Sequence, residues 1–129
     1  MPVHGCTSPW CVNPYHKHEN PSPMQRVIEG LDPVERTVYC AKCALAGLRA
    51  RNPEICARSL HTGLAAGRSV AGKVHHTVKK LERVDRLLLA GENQQAECGL
   101  IALLLGQSRR VDRIDDRLNA AHEAMREAA

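Results

Sequence analysis

Between Ser69 and Ala90 the aliphatic residues Val70, Val74, Val78, Leu81, Val84 and Leu88 recur at steps of three and four. Only a helix places all of them on one side, because its period is 3.6 residues. The segment therefore predicts a long amphipathic helix, capped by Ser69 and stopped by Gly91. Similar signals recur along the chain. Ser22-Pro23 starts a short helix through Ile28 that Gly30 ends. Asp32-Pro33-Val34-Glu35 is a capping box with proline at the first helical position, followed by Val34, Val38, Ala41, Leu45 and Leu48 at helical spacing. A strand over Glu35–Tyr39 competes with that helix. Asn52-Pro53-Glu54 opens another helix, to about His61, closed by Gly63 or Gly67. Glu92–Leu105 forms the next, stopped by Gly106. Ser108 caps the last, with Val111, Ile114, Leu118, Ala121 and Met125 facing inward.

A core built from these stripes is unusual in one respect. The chain has no Phe, one Trp and two Tyr, so Leu, Val, Ile and Ala must fill it. Aliphatic side chains pack well between helices but lack the aromatic mass that small cores exploit. A short chain of this kind benefits from an extra staple, and a metal ion is the obvious one. The opening MPVHGC lacks a basic segment followed by an apolar one, and no apolar run is long enough to span a membrane. A cytoplasmic location is expected. In a reducing compartment, six cysteines point to metal ligands or buried thiols rather than disulfides.

The cysteines come in pairs. Cys6 and Cys11 are separated by four residues, and Cys40 and Cys43 by two. Two short-loop pairs about thirty residues apart have the spacing of a tetrahedral zinc site. Four thiolates leave no position for water, so such a site is structural. Cys6, Cys11, Cys40 and Cys43 are the expected Zn²⁺ ligands. Cys6-x4-Cys11-x4-His16 also carries three ligands at workable spacing, which makes His16 the alternate ligand.

Residues 4–16, HGCTSPWCVNPYH, resemble the zinc half of the His-Me finger (HNH-type) endonucleases. The resemblance implies that Cys6, Cys11 and His16 are structural zinc ligands and that His4 stands where the family has its catalytic base. The Asn that binds catalytic Mg²⁺ has no counterpart, since position 25 is Gln and Asn20 is too near. A second likeness runs through Cys11, Cys40, Cys43 and Cys56. This C…CxxC…C series is similar in outline to the WhiB-like iron–sulfur regulators, in which four cysteines hold a [4Fe–4S] cluster. The bland reading of Cys56 and Cys98 is a small buried hydrophobe on a helix.

Charge is concentrated. Residues 67–90 hold six basic and two acidic side chains, a surplus equal to the net +4 of the whole chain. Residues 57–86 read as a helix, a glycine-containing turn and a second, basic helix, the outline of a helix-turn-helix. Arg68 and Ser69 would lie at the amino end of the second helix, where phosphates and base edges are met. Lys73, His76, Lys80 and Arg83 fall on one face, opposite Val74, Val78 and Leu81. Residues 101–118 also resemble a helix-turn-helix, but Asp112, Asp115 and Asp116 offset Arg109, Arg110, Arg113 and Arg117. Alternating signs suit a packing or dimerising helix pair better than a second DNA reader.

The expected protein is mainly α: a small zinc-binding amino-terminal module over 1–50, then a helical bundle over 51–129 with helix-turn-helix-like segments. The expected function is a zinc-stapled regulator that binds double-stranded DNA through Arg68, Ser69, Lys73, His76, Lys80 and Arg83. Two other readings stand beside it. One is a helical adaptor for a protein partner, with a homodimer through 92–129 as a further option. The other is a degenerate nuclease using His4.

Overall fold

The computed structural model describes residues 5–128, and the chain is mainly helical. Six helices follow in order: α1 (Pro23–Glu29), α2 (Pro33–Arg49), α3 (Pro53–Arg68), α4 (His75–Leu89), α5 (Asn93–Gly106) and α6 (Ser108–Ala128). The described residues contain no strand, so Glu35–Tyr39 is helical. Its capping box decides this locally. The Asp32 carboxylate accepts from the Glu35 N–H at 2.8 Å, and the Asp32 N–H donates to Glu35 Oε1 at 3.1 Å. Ser22 and Gln25 make the same reciprocal pair at α1.

Two helix ends use one device with different residues. After α4, Gly91 takes a left-handed φ of 78° while Glu92 N–H reaches back to the Leu87 carbonyl at 2.8 Å. After α2, Arg51 takes that conformation at φ 54°, and Asn52 N–H bonds the Gly47 carbonyl at 2.8 Å. Asn52 then caps α3 by accepting from the Ile55 N–H at 3.2 Å. One asparagine thus ends one helix and begins the next, which makes 49–53 a tight turn between two packed helices.

The chain divides into two compact units: the described residues up to Leu31 together with those from Arg113 onward, and Asp32–Asp112. In the second unit α2 packs on α3, α3 on α4, α4 on α5, and α5 closes back on α2. Ala41, Ala44, Leu45, Cys56, Leu60, Leu64, Leu81, Val84, Ala96, Leu100 and Leu103 form its core. An aliphatic core without aromatic bulk is filled by bringing backbones close together. A Cβ on Gly47 would lie 2.9 Å from the Cys56 backbone nitrogen, and one on Gly67 would meet Val78 Cγ2 at 2.6 Å. At these two positions glycine sets the spacing of α2, α3 and α4.

The α3–α4 connection departs from expectation. α3 does not end near His61 or Gly63; it runs through Gly63 to Arg68. Ser69 does not cap α4. It ends α3, and its hydroxyl donates to the Ala66 carbonyl at 2.7 Å. Six residues, Ser69 included, separate α3 from α4, with Ala71 at φ 49° and Gly72 at φ 88°. Val70 and Lys73 belong to this turn. Tertiary packing explains the extension: Gly63 and Gly67 face Cys40 and Thr37 of α2, so continuing α3 buries more surface than stopping it. A helix-turn-helix has a turn of three or four residues, and this one is longer. At the other candidate, Gln107 alone separates α5 from α6.

The first unit contains the loop from Gly5 to Pro21, α1 and most of α6. Ile114 and Ala121 of α6 are buried, with Leu118 and Met125 half-buried on the same stripe. The Trp10 ring lies 5.1 Å from that of His122.

Candidate metal centre

The amino-terminal loop is held by backbone hydrogen bonds rather than by regular structure. Cys6 N–H donates to the Lys17 carbonyl at 2.9 Å and joins its two ends. Cys11 N–H reaches the Ser8 carbonyl at 3.3 Å, and His16 N–H reaches Asn13 at 3.2 Å. The Asn13 side chain forms an Asx turn by accepting from Tyr15 N–H at 2.9 Å. Pro9 and Pro14 each sit beside one of these turns and restrict the residue before them. The Gln25 amide donates to the Ser8 carbonyl and ties the loop to α1.

These turns bring Cys6, Cys11 and His16 together. One donor atom from each lies within 4.8 Å of the other two, and among the described residues this is the group of Cys, His and carboxylate side chains that can hold a metal ion. His16 Nδ1 is 3.3 Å from Cys11 Sγ, and His16 Nε2 is 3.3 Å from the Asn13 amide. The amide N–H₂ can only donate, so it favours the tautomer whose lone pair is on Nε2. A metal bound at Nδ1 would turn that order around.

The thiols differ in character. Cys6 is brought down to about 7 by the Ser8 backbone, helped by His16, His18 and Cys11 and opposed by desolvation. Cys11 is pushed up by desolvation, with the neighbouring Cys6 adding to it. A thiol near 7 is about half in the thiolate form that binds a metal at neutral pH.

Cys40 and Cys43 are placed otherwise. Both lie in the middle of α2, in the second unit, and neither is part of the group around Cys6. Cys40 is fully buried, with its Cβ 3.1 Å from where a Cβ on Gly63 would sit. Burial pushes its thiol up to about 12, and it raises Cys43 as well. Cys56 is buried in the same core and Cys98 is exposed on α5. The spacing of a CxxC pair does not reveal which way a helix turns it; Gly63 on α3 decides that. In native protein, a thiol reagent is expected to modify Cys98 while Cys40 and Cys56 stay protected until unfolding. Peptide mass spectrometry checks this, and rapid labelling of Cys40 in the folded chain would contradict its place in the core.

The basic residues are distributed as follows. Arg68 ends α3 and its guanidinium pairs with Glu82 Oε2 at 3.3 Å. Ser69 is turned back onto α3, and Lys73 is exposed in the turn. His76, Lys80 and Arg83 are exposed on α4, and Lys79 and Arg86 extend the same face. Lys79 and Arg86 had a signal in the sequence, since they lie four residues before and three residues after Arg83, on the face away from Leu81. Asn13 and Gln25, which shape the loop, had no such signal. His4 lies outside the described residues.

Fold and site together define a mainly helical protein whose amino-terminal loop carries a Cys/His group able to hold a metal ion. No family model matches the chain, and neither a curated protein nor a solved structure matches it. No helix of the described residues is long and apolar enough to cross a membrane.

Proposed function

We infer that this is a zinc-stapled helical protein that binds double-stranded DNA through the outer face of α4, as a regulator would. The distribution of charge around α4 carries the reading. At 3.6 residues per turn, His76, Lys79, Lys80, Arg83 and Arg86 fall within an arc of about 120°. Thr77, Leu81 and Val84 are buried on the other side. The two acids of α4 lie on the flank towards α3, where Glu82 meets Arg68 at 3.3 Å and Asp85 meets His61 at 4.0 Å. The acids are thus drawn away, and the cationic arc makes no ion pair among the described residues. Such a face matches a row of phosphates. Zn²⁺ suits the loop because thiolate and imidazole donors favour it in a small structural site.

The test is a titration of fluorescent duplex at several salt concentrations. Four phosphate contacts give a log–log slope of about −4, so raising salt from about 50 to 200 mM weakens binding a few hundredfold. Absence of any duplex binding at the lower salt would remove the reading.

One observation favours a protein partner instead. A cleft of about 600 Å³ is lined by Leu48, Pro53, Ala57, Leu60, Leu88 and Leu89, together with polar residues. Leu89, on its rim, is 83% exposed. A partner helix could lay aliphatic side chains there. A stoichiometric partner that co-purifies through nuclease and high salt would support the adaptor over the DNA reader.

A further inference from the structure

Cys6, Cys11 and His16 supply three donors, and a closed structural site needs a fourth. The geometry points to His18 as that ligand, oriented by Glu29, so that the metal reading of the loop becomes a Cys₂His₂ site contained in residues 6–18. This deepens the zinc reading above and rests on it.

The His18 side chain is only 4% exposed although it stands in a surface loop. Its Nδ1 is 3.0 Å from Glu29 Oε1. A carboxylate can only accept, so Nδ1 carries a proton, and in the neutral ring the lone pair is on Nε2. That Nε2 is buried and has no hydrogen-bond partner among the described residues. A buried polar atom left without a partner calls for an explanation. Here the explanation lies alongside: Cys6 N–H bonds the carbonyl of Lys17, the residue before His18, at 2.9 Å, and Cys6 and His18 line the same cleft.

A carboxylate on one ring nitrogen and a metal on the other is the usual setting of a ligating histidine, because the carboxylate fixes the tautomer and raises the basicity of the ligand. Glu29 is the last residue of α1, and the Ser22–Gln25 capping box fixes where that helix starts. Glu29 is thereby delivered to His18 from eleven residues away. Two thiolates and two neutral imidazoles also balance the charge of Zn²⁺. No cysteine of α2 is then required, in keeping with the burial of Cys40 in its own core.

The test is anaerobic Co²⁺ titration of the reduced full chain, followed by competition with Zn²⁺. The expected wild-type result is one Co²⁺ per chain, with strong tetrahedral ligand-field bands and thiolate charge transfer from two sulfurs. His18→Gln should still bind but with weakened bands as water enters, and with affinity reduced about a hundredfold or more. Glu29→Gln should keep the band shape and lose about ten- to hundredfold in affinity. Cys40→Ser and Cys43→Ser should leave the spectrum unchanged. Far-ultraviolet circular dichroism shows whether each variant is folded, and Glu29→Gln reads the same contact if His18→Gln is not.

Charge transfer from three or four sulfurs that falls in Cys43→Ser, or His18→Gln and Glu29→Gln titrations identical to wild type, would overturn His18 alone and leave the metal site standing. A wild-type chain that takes up neither Co²⁺ nor Zn²⁺ would overturn the metal reading together with it.

Discussion

Replacing Lys79, Lys80 and Arg83 together by glutamate is expected to weaken duplex binding by more than about a thousandfold at low salt. Three of the four permanent charges in the arc are lost and three like-charged groups face the phosphates. Arg86 is the one permanent cation left, so the salt slope should collapse from about −4 towards zero. The fold should survive. Each of the three residues is exposed and makes no ion pair among the described residues. Glutamate is as good a helix former as lysine or arginine. Repulsion between positions 79 and 83, between 80 and 83 and between 79 and Glu82 costs only about 0.2–0.5 kcal/mol per pair. Binding isotherms at several salt concentrations, with thermal melting of the same samples, measure both effects. A variant that melts like wild type and still binds DNA tightly would separate α4 from the function.

The largest effect on stability is expected from Leu81→Ala. Leu81 is completely buried and sits on the side of α4 that packs on α3, with Cδ1 3.5 Å from the site of a Cβ on Gly63. Truncation removes three buried carbons and leaves a cavity between helices whose spacing is held by glycine contacts elsewhere. The structure can collapse only partly into it, so the expected loss is about 2–5 kcal/mol. Against a typical stability of about 5–15 kcal/mol, that brings a small domain close to unfolding. For a unit of this size the midpoint should fall by roughly 10–30 °C. Leu105→Ala is the control: Leu105 is 72% exposed, and the change should stay within about 0.5 kcal/mol. Urea or thermal denaturation followed by circular dichroism separates the two. Equal effects would mean that the core of the second unit is wrongly assigned.

Much of the architecture was legible because its signals are local. Ser22-Pro23, Asp32-Pro33 and Asn52-Pro53 start helices through contacts three residues away, and Gly91 ends one through its own φ. The apolar stripes of α2, α4 and α6 need only the period of the helix. The triad of Cys6, Cys11 and His16 was legible for a related reason: tight turns of four intervening residues bring the donors together, and the tie from Gln25 of α1 to Ser8 only steadies them. Which further donor could join them was not, because that depends on what each remaining cysteine and histidine meets.

Helix order, the starts of α1, α2 and α3 and the three-residue Cys/His group therefore followed from neighbours within a few positions, where backbone hydrogen bonding and fixed φ angles act. Contacts between elements decided the rest. Gly63 and Gly67 carried α3 past its expected end and turned Ser69 from a cap for α4 into the close of α3. Packing on α3 made Cys40 a core residue, and α1 delivered Glu29 to His18. Glu82 and Asp85 turned towards α3 and left the cations of α4 facing outward. These outcomes depend on which surfaces are buried together, and burial is a property of the assembled helices that no periodicity along one of them contains.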